Sequence, residues 1–165
     1  RRVLLGDSME EQKSRVNDYE EFLGQTLGEA LLEPTRIYVK PVMEMLDSGI
    51  DLKAMVHITS GGFCNLNRVE CDNIRFVIDN LQPVPEIFNL IQDRGGVSEA
   101  EMFEVFNMGT GFCLVVEGTN EVEAVTEICK NNDLSCQLIG QVEGCQGKEV
   151  SLPQKQLTGK GSRFT

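Results

Sequence analysis

The chain has 165 residues, of which 41% are hydrophobic and 25% are charged. This length and composition are typical of one globular domain and exclude a fibrous or intrinsically disordered protein. The net charge of −11 disfavours nucleic-acid binding, because an acidic chain repels a phosphate backbone. An anionic small molecule would therefore need local donors, such as backbone N–H groups or arginines.

Cysteine usage and hydropathy indicate the compartment. The 6 cysteines include no CxxC pair, which favours reduced and mostly buried thiols. His57, Cys64 and Cys71 recur every seven residues, but they have no fourth ligand and no recognised zinc spacing, so we predict no metal site. No apolar run approaches the roughly 18–20 residues of a membrane helix, and the first residues lack the apolar core of a signal peptide. We expect a cytoplasmic protein.

Residues 1–25 form a predicted amino-terminal helical segment. Its start at Arg1 leads directly into RRVLL, as in a sequence that continues upstream, and trimming would give the same start. Ser8 and Glu11 have the spacing of a capping box. A peripheral amphipathic helix is predicted over residues 8–24, because one helical face collects Val16, Tyr19, Phe22 and Leu23.

Residues 26–150 carry the predicted main domain, and helices recur along it. Pro41 in a first turn and a stop at Gly49 frame a helix that carries the apolar residues Val39, Val42, Met43 and Leu46. Further helices are predicted around residues 87–91, from the Ser98–Glu101 capping box onward, and from Thr119.

Strand-like runs alternate with these helices. They lie at residues 54–59, 74–79, 112–117 and 135–142, and the segment KEVSL follows at 148–152. This order predicts a mixed α+β fold. Residues 151–165 contain three basic and no acidic side chains, and we predict that they form a flexible basic tail.

The segment VHITSGG, at residues 56–62, is the best local candidate for chemistry. His57 is the only histidine and stands at the end of a predicted strand. Backbone N–H groups of Ser60, Gly61 and Gly62 could converge on a phosphate or an oxyanion, and glycine permits a positive φ angle there. His57 could donate a hydrogen bond or carry a proton. A tight turn with a hydrogen-bonded core histidine explains the same residues.

Two other polar clusters allow the same choice between ligand contact and local structure. In FNMGTG, Asn107 and Gly109 could face a ligand, or they could form a helix C-terminus followed by a turn. Arg36 could bind a phosphate or carboxylate, or it could pair with Glu33 at the surface. A serine or cysteine nucleophile is disfavoured, because no spacing identifies a partner for the lone histidine.

Four segments together resemble the carboxy-terminal domain of the phosphoribosylformylglycinamidine cyclo-ligase (AIR synthetase) family. They are TLGEALLEPTRIYVKPV at 26–42, VHITSGG at 56–62, PVPEIF at 83–88 and SEAEMFEVFNMGTGFCLVV at 98–116. The resemblance spans residues 26–145, and LLEPTRIYV and MFEVFNMGTG are its most specific parts. It implies an α+β fold with a mixed sheet covered by helices, partly ferredoxin-like.

The resemblance also implies a function. Such an enzyme closes the imidazole ring of aminoimidazole ribonucleotide from formylglycinamidine ribonucleotide in purine biosynthesis. We expect ATP and Mg²⁺ to be held mainly by an amino-terminal half that is not in this sequence, so this chain would need no cofactor and would be inactive alone. The expected partners are that half, the ribonucleotide substrate and a second subunit of a homodimer, with no nucleic acid and no membrane.

The family's HITGGG motif falls on residues 57–62, with Ser60 where the family has glycine. Because FCNLNR at 63–68 is shorter than the corresponding family stretch, no role is assigned to Asn65. His57 is our candidate catalytic residue, and the candidate substrate-binding residues are Thr59, Ser60, Gly61, Gly62, Arg36, Asn107 and Gly109. The alternatives are a stand-alone phosphoribonucleotide-binding module and a domain of a related ATP-dependent enzyme, such as selenophosphate synthetase or formylglycinamidine synthase.

Overall fold

The structure is a computed structural model that describes residues 1–165. Its helices are α1 (Arg2–Leu5), α2 (Met9–Arg15), α3 (Leu27–Leu32), α4 (Val39–Asp47), α5 (Glu86–Gly95), α6 (Glu99–Val105) and α7 (Thr119–Asn131). Its strands are β1 (Tyr19–Glu20), β2 (Gln25–Thr26), β3 (Ala54–His57), β4 (Ile74–Ile78), β5 (Phe112–Val115), β6 (Gly140–Gly144), β7 (Lys148–Leu152), β8 (Leu157–Lys160) and β9 (Arg163–Phe164). Two 3₁₀ helices span Gly62–Arg68 and Pro153–Lys155.

The larger sheet has five strands in the order β6-β4-β7-β8-β9. β4 and β7 run parallel, and the other neighbouring pairs are antiparallel. A separate antiparallel pair joins β3 to β5, and β1 pairs with β2. Helices accompany these sheets along the chain, so the prediction of an α+β fold with a mixed sheet is confirmed.

The main core lies between the sheets and the helices. Phe76 and Ile78 of β4 and Val150 and Leu152 of β7 alternate with more exposed residues, as expected for strands with one face against the core. The buried pair Leu4 and Leu5 belongs to the same core, so the first helix packs with the main domain. None of the helices has the length and apolar composition that a membrane crossing requires.

The predicted helix over residues 8–24 is right at its start and wrong beyond residue 15. Ser8 and Glu11 form the expected capping box, with the Glu11 N–H donating to Ser8 Oγ at 3.2 Å. The chain then folds back as the β1–β2 hairpin, and the Gly28 N–H donates to the Val16 carbonyl at 2.8 Å. These long-range contacts replace helical hydrogen bonds, and Tyr19 is left exposed.

Helix α4 occurs where it was predicted, and the chain leaves it through Gly49 at φ +80°. The apolar residues that identified this helix in the sequence are not the ones that it buries. Pro41 and Met45 are the residues that α4 buries, whereas Val39 and Met43 are exposed. The apolar spacing therefore identified the helix but not the face that packs against the protein.

The strand predicted over residues 135–142 is also displaced, since β6 begins at Gly140. The segment before it is held by single hydrogen bonds instead of a ladder. The Leu134 N–H donates to the Cys129 carbonyl at 2.9 Å, and the Ile139 carbonyl accepts from Asp79 and Asn80 at 3.1 and 3.0 Å.

The predicted flexible tail at residues 151–165 is wrong, because these residues complete β7 and form β8 and β9 of the larger sheet. Two of its basic residues meet acidic residues of the body. Lys155 contacts Glu99 of α6 at 2.6 Å, and Lys160 contacts Glu149 of β7 at 3.5 Å. Phe164 is buried at the end of β9. The basic residues at the end of this acidic chain thus form ion pairs with the main domain, and the segment is ordered.

We predict that Phe164→Ala destabilises the fold by about 3 kcal/mol or more, the usual cost of removing a buried phenylalanine ring. The Phe164 ring lies where a side chain on Gly159 would be, at 2.8 Å from the position of a Cβ. Urea denaturation measures the loss. The matched control is Phe22→Ala, at a ring that is 53% exposed, which should change stability by less than about 1 kcal/mol. Equal small losses would show that the last strands contribute little to the fold.

Candidate functional site

His57 is the last residue of β3 and is exposed. The antiparallel register places it opposite Phe112, the first residue of β5. The His57 ring lies 5.9 Å from the Tyr38 ring in an edge-to-face arrangement and 6.0 Å from the Phe112 ring, measured between centroids. Tyr38 and Phe112 are themselves 5.1 Å apart. Three segments that are distant in the sequence therefore meet in one aromatic cluster.

The turn after His57 is held from both sides. The Ile58 N–H donates to the Gly111 carbonyl at 2.9 Å, and the Gly62 N–H donates to the Thr59 carbonyl at 3.0 Å. The N–H groups of Ser60 and Gly61 donate to no acceptor in the protein. Of the three N–H groups considered in the sequence, two are thus available to an anion, and the Gly62 group closes the turn.

The two glycines of this turn are required for different reasons. Gly61 has φ +99°, and a Cβ there would lie 2.9 Å from Asn65 Oδ1. Gly62 has φ +49°, and a Cβ there would lie 1.9 Å from the Phe103 carbonyl oxygen. Such a distance is far shorter than any real Cβ contact. The turn is therefore packed directly against the backbone of α6.

Asn65 and Arg68 lie behind this turn on the 3₁₀ helix. Asn65 is 1% exposed, and its Oδ1 has no hydrogen-bond partner, while its Nδ2 makes one long bond of 3.4 Å to the Thr59 carbonyl. Arg68 is exposed and forms no ion pair. An unpaired guanidinium next to two free N–H groups makes this the most favourable place for an anion in this part of the surface.

A cavity of about 530 Å³ adjoins this turn, and its polar wall consists of Lys53, His57, Thr59, Asn65, Arg68 and Glu70. Lys53 is already paired with two acidic residues, Asp51 and Glu117. Arg68 is therefore the basic side chain that remains free to bind a ligand here. Sequence reasoning missed it, because no pattern showed that the 3₁₀ helix returns its last residue to the turn.

A second cavity of about 430 Å³ also adjoins the aromatic cluster, and Arg36, Tyr38, Gly109 and Phe112 line part of it. Arg36 is exposed and lies 3.8 Å from Glu33. Such an exposed pair contributes little stability. The surface ion pair of Arg36 is thus observed, whereas its contact with a ligand stays a prediction for a residue that lines a cavity.

The segment around Asn107 is a local turn. Asn107 Oδ1 accepts from the Gly109 N–H at 3.1 Å, and its carbonyl accepts from Thr110 at 2.8 Å. Gly109 has φ +91° and packs against Pro85. Asn107 lines neither of the two cavities. The structure thus brings His57 and Thr59 together in one cavity and Arg36 and Gly109 in the other, and uses Asn107 to shape the loop.

Burial raises the pKa values of two thiols and one phenol near the site. It raises the pKa of the Cys113 thiol to about 12 and, with a smaller contribution from Glu104, the pKa of Cys64 to about 11. These thiols stay protonated near neutral pH and are poor nucleophiles. Burial also raises the pKa of the Tyr38 hydroxyl, which Arg36 partly offsets. No three His, Cys, Asp or Glu side chains are grouped so that they could hold a metal ion.

Comparison with known proteins identifies related sequences over most of the chain. The family model described as AIR synthase related protein, C-terminal domain, matches residues 5–153. Proteins named phosphoribosylformylglycinamidine cyclo-ligase are similar to it. The one from Methanocaldococcus jannaschii is 45% identical over 132 residues, which is 79% of this chain and 37% of that protein. The one from Bacillus licheniformis is 43% identical over 149 residues, 89% of this chain and 41% of that protein.

A third relative, from Methanococcus maripaludis strain C7, is 40% identical over 143 residues, 87% of this chain and 39% of that protein. The chain thus spans about two-fifths of the length of the curated relatives that it matches.

We predict that Gly62→Ala destabilises the protein by more than about 3 kcal/mol, because the added methyl group overlaps the Phe103 carbonyl oxygen in addition to straining a positive φ. Gly49→Ala is the matched control, since Gly49 also has a positive φ but has no atom within 4 Å of the place that a Cβ would take. It should lose only about 1–2 kcal/mol. Denaturant titration of both variants measures the difference, and equal losses would mean that the turn is not packed against α6.

Proposed function

The chain belongs to the AIR synthase related protein family, as a C-terminal domain, and we propose that it serves in an ATP-dependent phosphoribosylformylglycinamidine cyclo-ligase. The reaction closes the imidazole ring of aminoimidazole ribonucleotide from formylglycinamidine ribonucleotide in purine synthesis. The observation that carries the proposal is the 40–45% identity to proteins of that name across most of the chain.

The chemistry explains what this domain has to provide. An amide oxygen is a poor leaving group, so transfer of the ATP γ-phosphoryl group to it makes its departure possible. The amidine nitrogen then attacks the activated carbon, the ring closes, and phosphate leaves. Negative charge must be stabilised throughout, and preformed donors do this best where water is excluded.

The first cavity, lined by His57 and Arg68, and the turn beside it contain such donors. We assign the free N–H groups of Ser60 and Gly61 and the unpaired guanidinium of Arg68 to a phosphate or developing oxyanion of the substrate. His57 stands at the same edge and either donates a hydrogen bond to the reacting group or carries its proton. We assign Arg36 and Gly109, which line the second cavity, to a more distant part of the substrate.

ATP and Mg²⁺ are assigned to an amino-terminal half, and the whole enzyme is proposed to be a homodimer. Mg²⁺ neutralises phosphate charge during phosphoryl transfer and prefers carboxylate oxygens as ligands. The residues of this chain do not fit that ion, because no group of acidic side chains converges. No step is therefore assigned to the metal here.

The position of LLEPTRIYV supports a cyclo-ligase over another ligase or kinase of the same architecture. This segment is among the most specific parts of the sequence resemblance. A position far from the candidate site would have favoured one of the related enzymes. Tyr38 of this segment contacts both His57 and Phe112. The family-specific segment thus forms part of the wall of the candidate site.

We predict that the isolated chain does not convert formylglycinamidine ribonucleotide in the presence of ATP, because it lacks the proposed nucleotide-binding half. A fusion in which this chain replaces the matching segment of the M. jannaschii cyclo-ligase should be active. Turnover is followed by formation of aminoimidazole ribonucleotide. Activity of the isolated chain would refute the division of roles, and tight calorimetric binding of the ribonucleotide without any partner would instead favour a stand-alone binding module.

We predict that His57→Phe lowers kcat of this fusion by about 100-fold or more, a typical loss for a proton-transfer group. Phenylalanine keeps the aromatic contacts with Tyr38 and Phe112 but cannot donate a hydrogen bond. Steady-state kinetics measure the loss.

Arg68→Ala provides the contrast, because loss of a phosphate contact should raise KM for the ribonucleotide more than it lowers kcat. An unchanged kcat in His57→Phe would show that His57 contributes only packing and transfers no proton.

A further inference from the structure

Five large apolar side chains that lie close together in the sequence are left uncovered. We call them the apolar stripe: Leu32, Ile37, Val39, Met43 and Leu46, which are 81%, 78%, 69%, 49% and 43% exposed. They all lie within a stretch of 15 residues, from the end of α3 through the connecting segment 33–38 into α4. Single exposed apolar residues are normal, but a group of this kind marks an interaction surface.

The geometry of α4 shows that the stripe is not a misplaced core face. Val39, Met43 and Leu46 recur at i, i+4 and i+7 and so share one face of the helix. Pro41 and Met45 are buried on another side, where Met45 packs with Val125 of α7. A helix with apolar residues on two sides is normally buried between two layers. Only one of these layers belongs to this chain.

We propose that the apolar stripe is the surface on which the amino-terminal half of the cyclo-ligase docks. This proposal rests on the proposed function. About three-fifths of the length of each similar cyclo-ligase lies outside the match, which provides a polypeptide large enough to cover the stripe. A second copy of this chain is a less favourable occupant, since two chains with a net charge of −11 repel one another.

The position of the stripe connects docking with the site. Arg36 and Tyr38 flank Ile37 in the connecting segment 33–38, and both line the second cavity. A protein surface seated on Ile37 and Val39 must therefore approach these two polar side chains as well. Docking would bring the nucleotide-binding residues of the other half to the edge of the substrate cavity and would exclude water from it.

Oxidative footprinting tests this arrangement on the isolated chain and on the fusion with the amino-terminal part of the M. jannaschii enzyme. Met43 is 49% exposed and Met9, on α2, is 66% exposed. Under brief peroxide treatment we expect Met43 to oxidise at least fivefold more slowly in the fusion, with Met9 unchanged, as measured by peptide mass spectrometry. Equal Met43 rates in both proteins would overturn the proposal.

Paired lysine substitutions give an independent measurement. Met43→Lys with Leu46→Lys changes the stripe, and Val105→Lys with Val142→Lys is the control, since those two residues are 47% and 42% exposed. Both pairs should leave the melting temperature of the isolated chain within a few degrees. In the fusion, only the stripe pair should lower the melting temperature. It should also raise the rate at which hydroxyl radicals oxidise Ile37, a stripe residue left unchanged, to the rate in the isolated chain.

Two outcomes contradict the proposal in different ways. If both pairs have the same effect on the fusion, the stripe is not the docking surface. If the isolated chain sediments as a dimer that the stripe pair dissociates, a second copy is the occupant. Turnover by the unmodified fusion is recorded separately, so an active fusion with an uncovered stripe refutes only the docking surface. An inactive fusion with a protected stripe refutes only the proposed function.

Discussion

Four antiparallel residue pairs join β3 to β5, and the candidate site depends on their register. Because His57 stands opposite Phe112, the turn that follows β3 and the loop that precedes β5 lie at the same end of the pair. Tyr38 then covers both rings, with its hydroxyl where a side chain on Gly111 would be. A shift of one residue would turn His57 to the opposite face. The site therefore follows from a pairing between residues more than fifty positions apart.

Local signals in the sequence predicted the starts of several elements correctly. The Ser8–Glu11 and Ser98–Glu101 pairs act through hydrogen bonds within a few residues, so the sequence shows them directly. The failures involve distant contacts. Residues 16–24 have helical spacing, but Tyr19 and Glu20 pair with Thr26 and Gln25 in a hairpin. The basic residues of the last segment form ion pairs with Glu99 and Glu149. No local pattern reveals such partners.

The candidate site was predictable in part for the same reason. VHITSGG showed a histidine before small residues, and the structure gives that turn two free N–H groups at Ser60 and Gly61. It did not show that Asn65 would be buried behind the turn or that Arg68 would return to its edge. Apolar spacing identified α4 but did not show which of its faces packs against the rest of the chain, since Val39 and Met43 follow the helical spacing and are exposed.

The acidic net charge of the chain restricts how the proposed phosphorylated substrate can be held. Long-range attraction is absent at a net charge of −11, so the binding free energy must come from contacts within a few ångströms. Lys53 is neutralised by Asp51 and Glu117, and Arg36 stands next to Glu33, whereas Arg68 has no acidic partner. An unpaired guanidinium is favourable on an acidic protein only while it stays hydrated or meets an anion. The exposed position of Arg68 at the rim of the cavity satisfies the first condition, and a substrate phosphate beside the Ser60 and Gly61 N–H groups would satisfy the second.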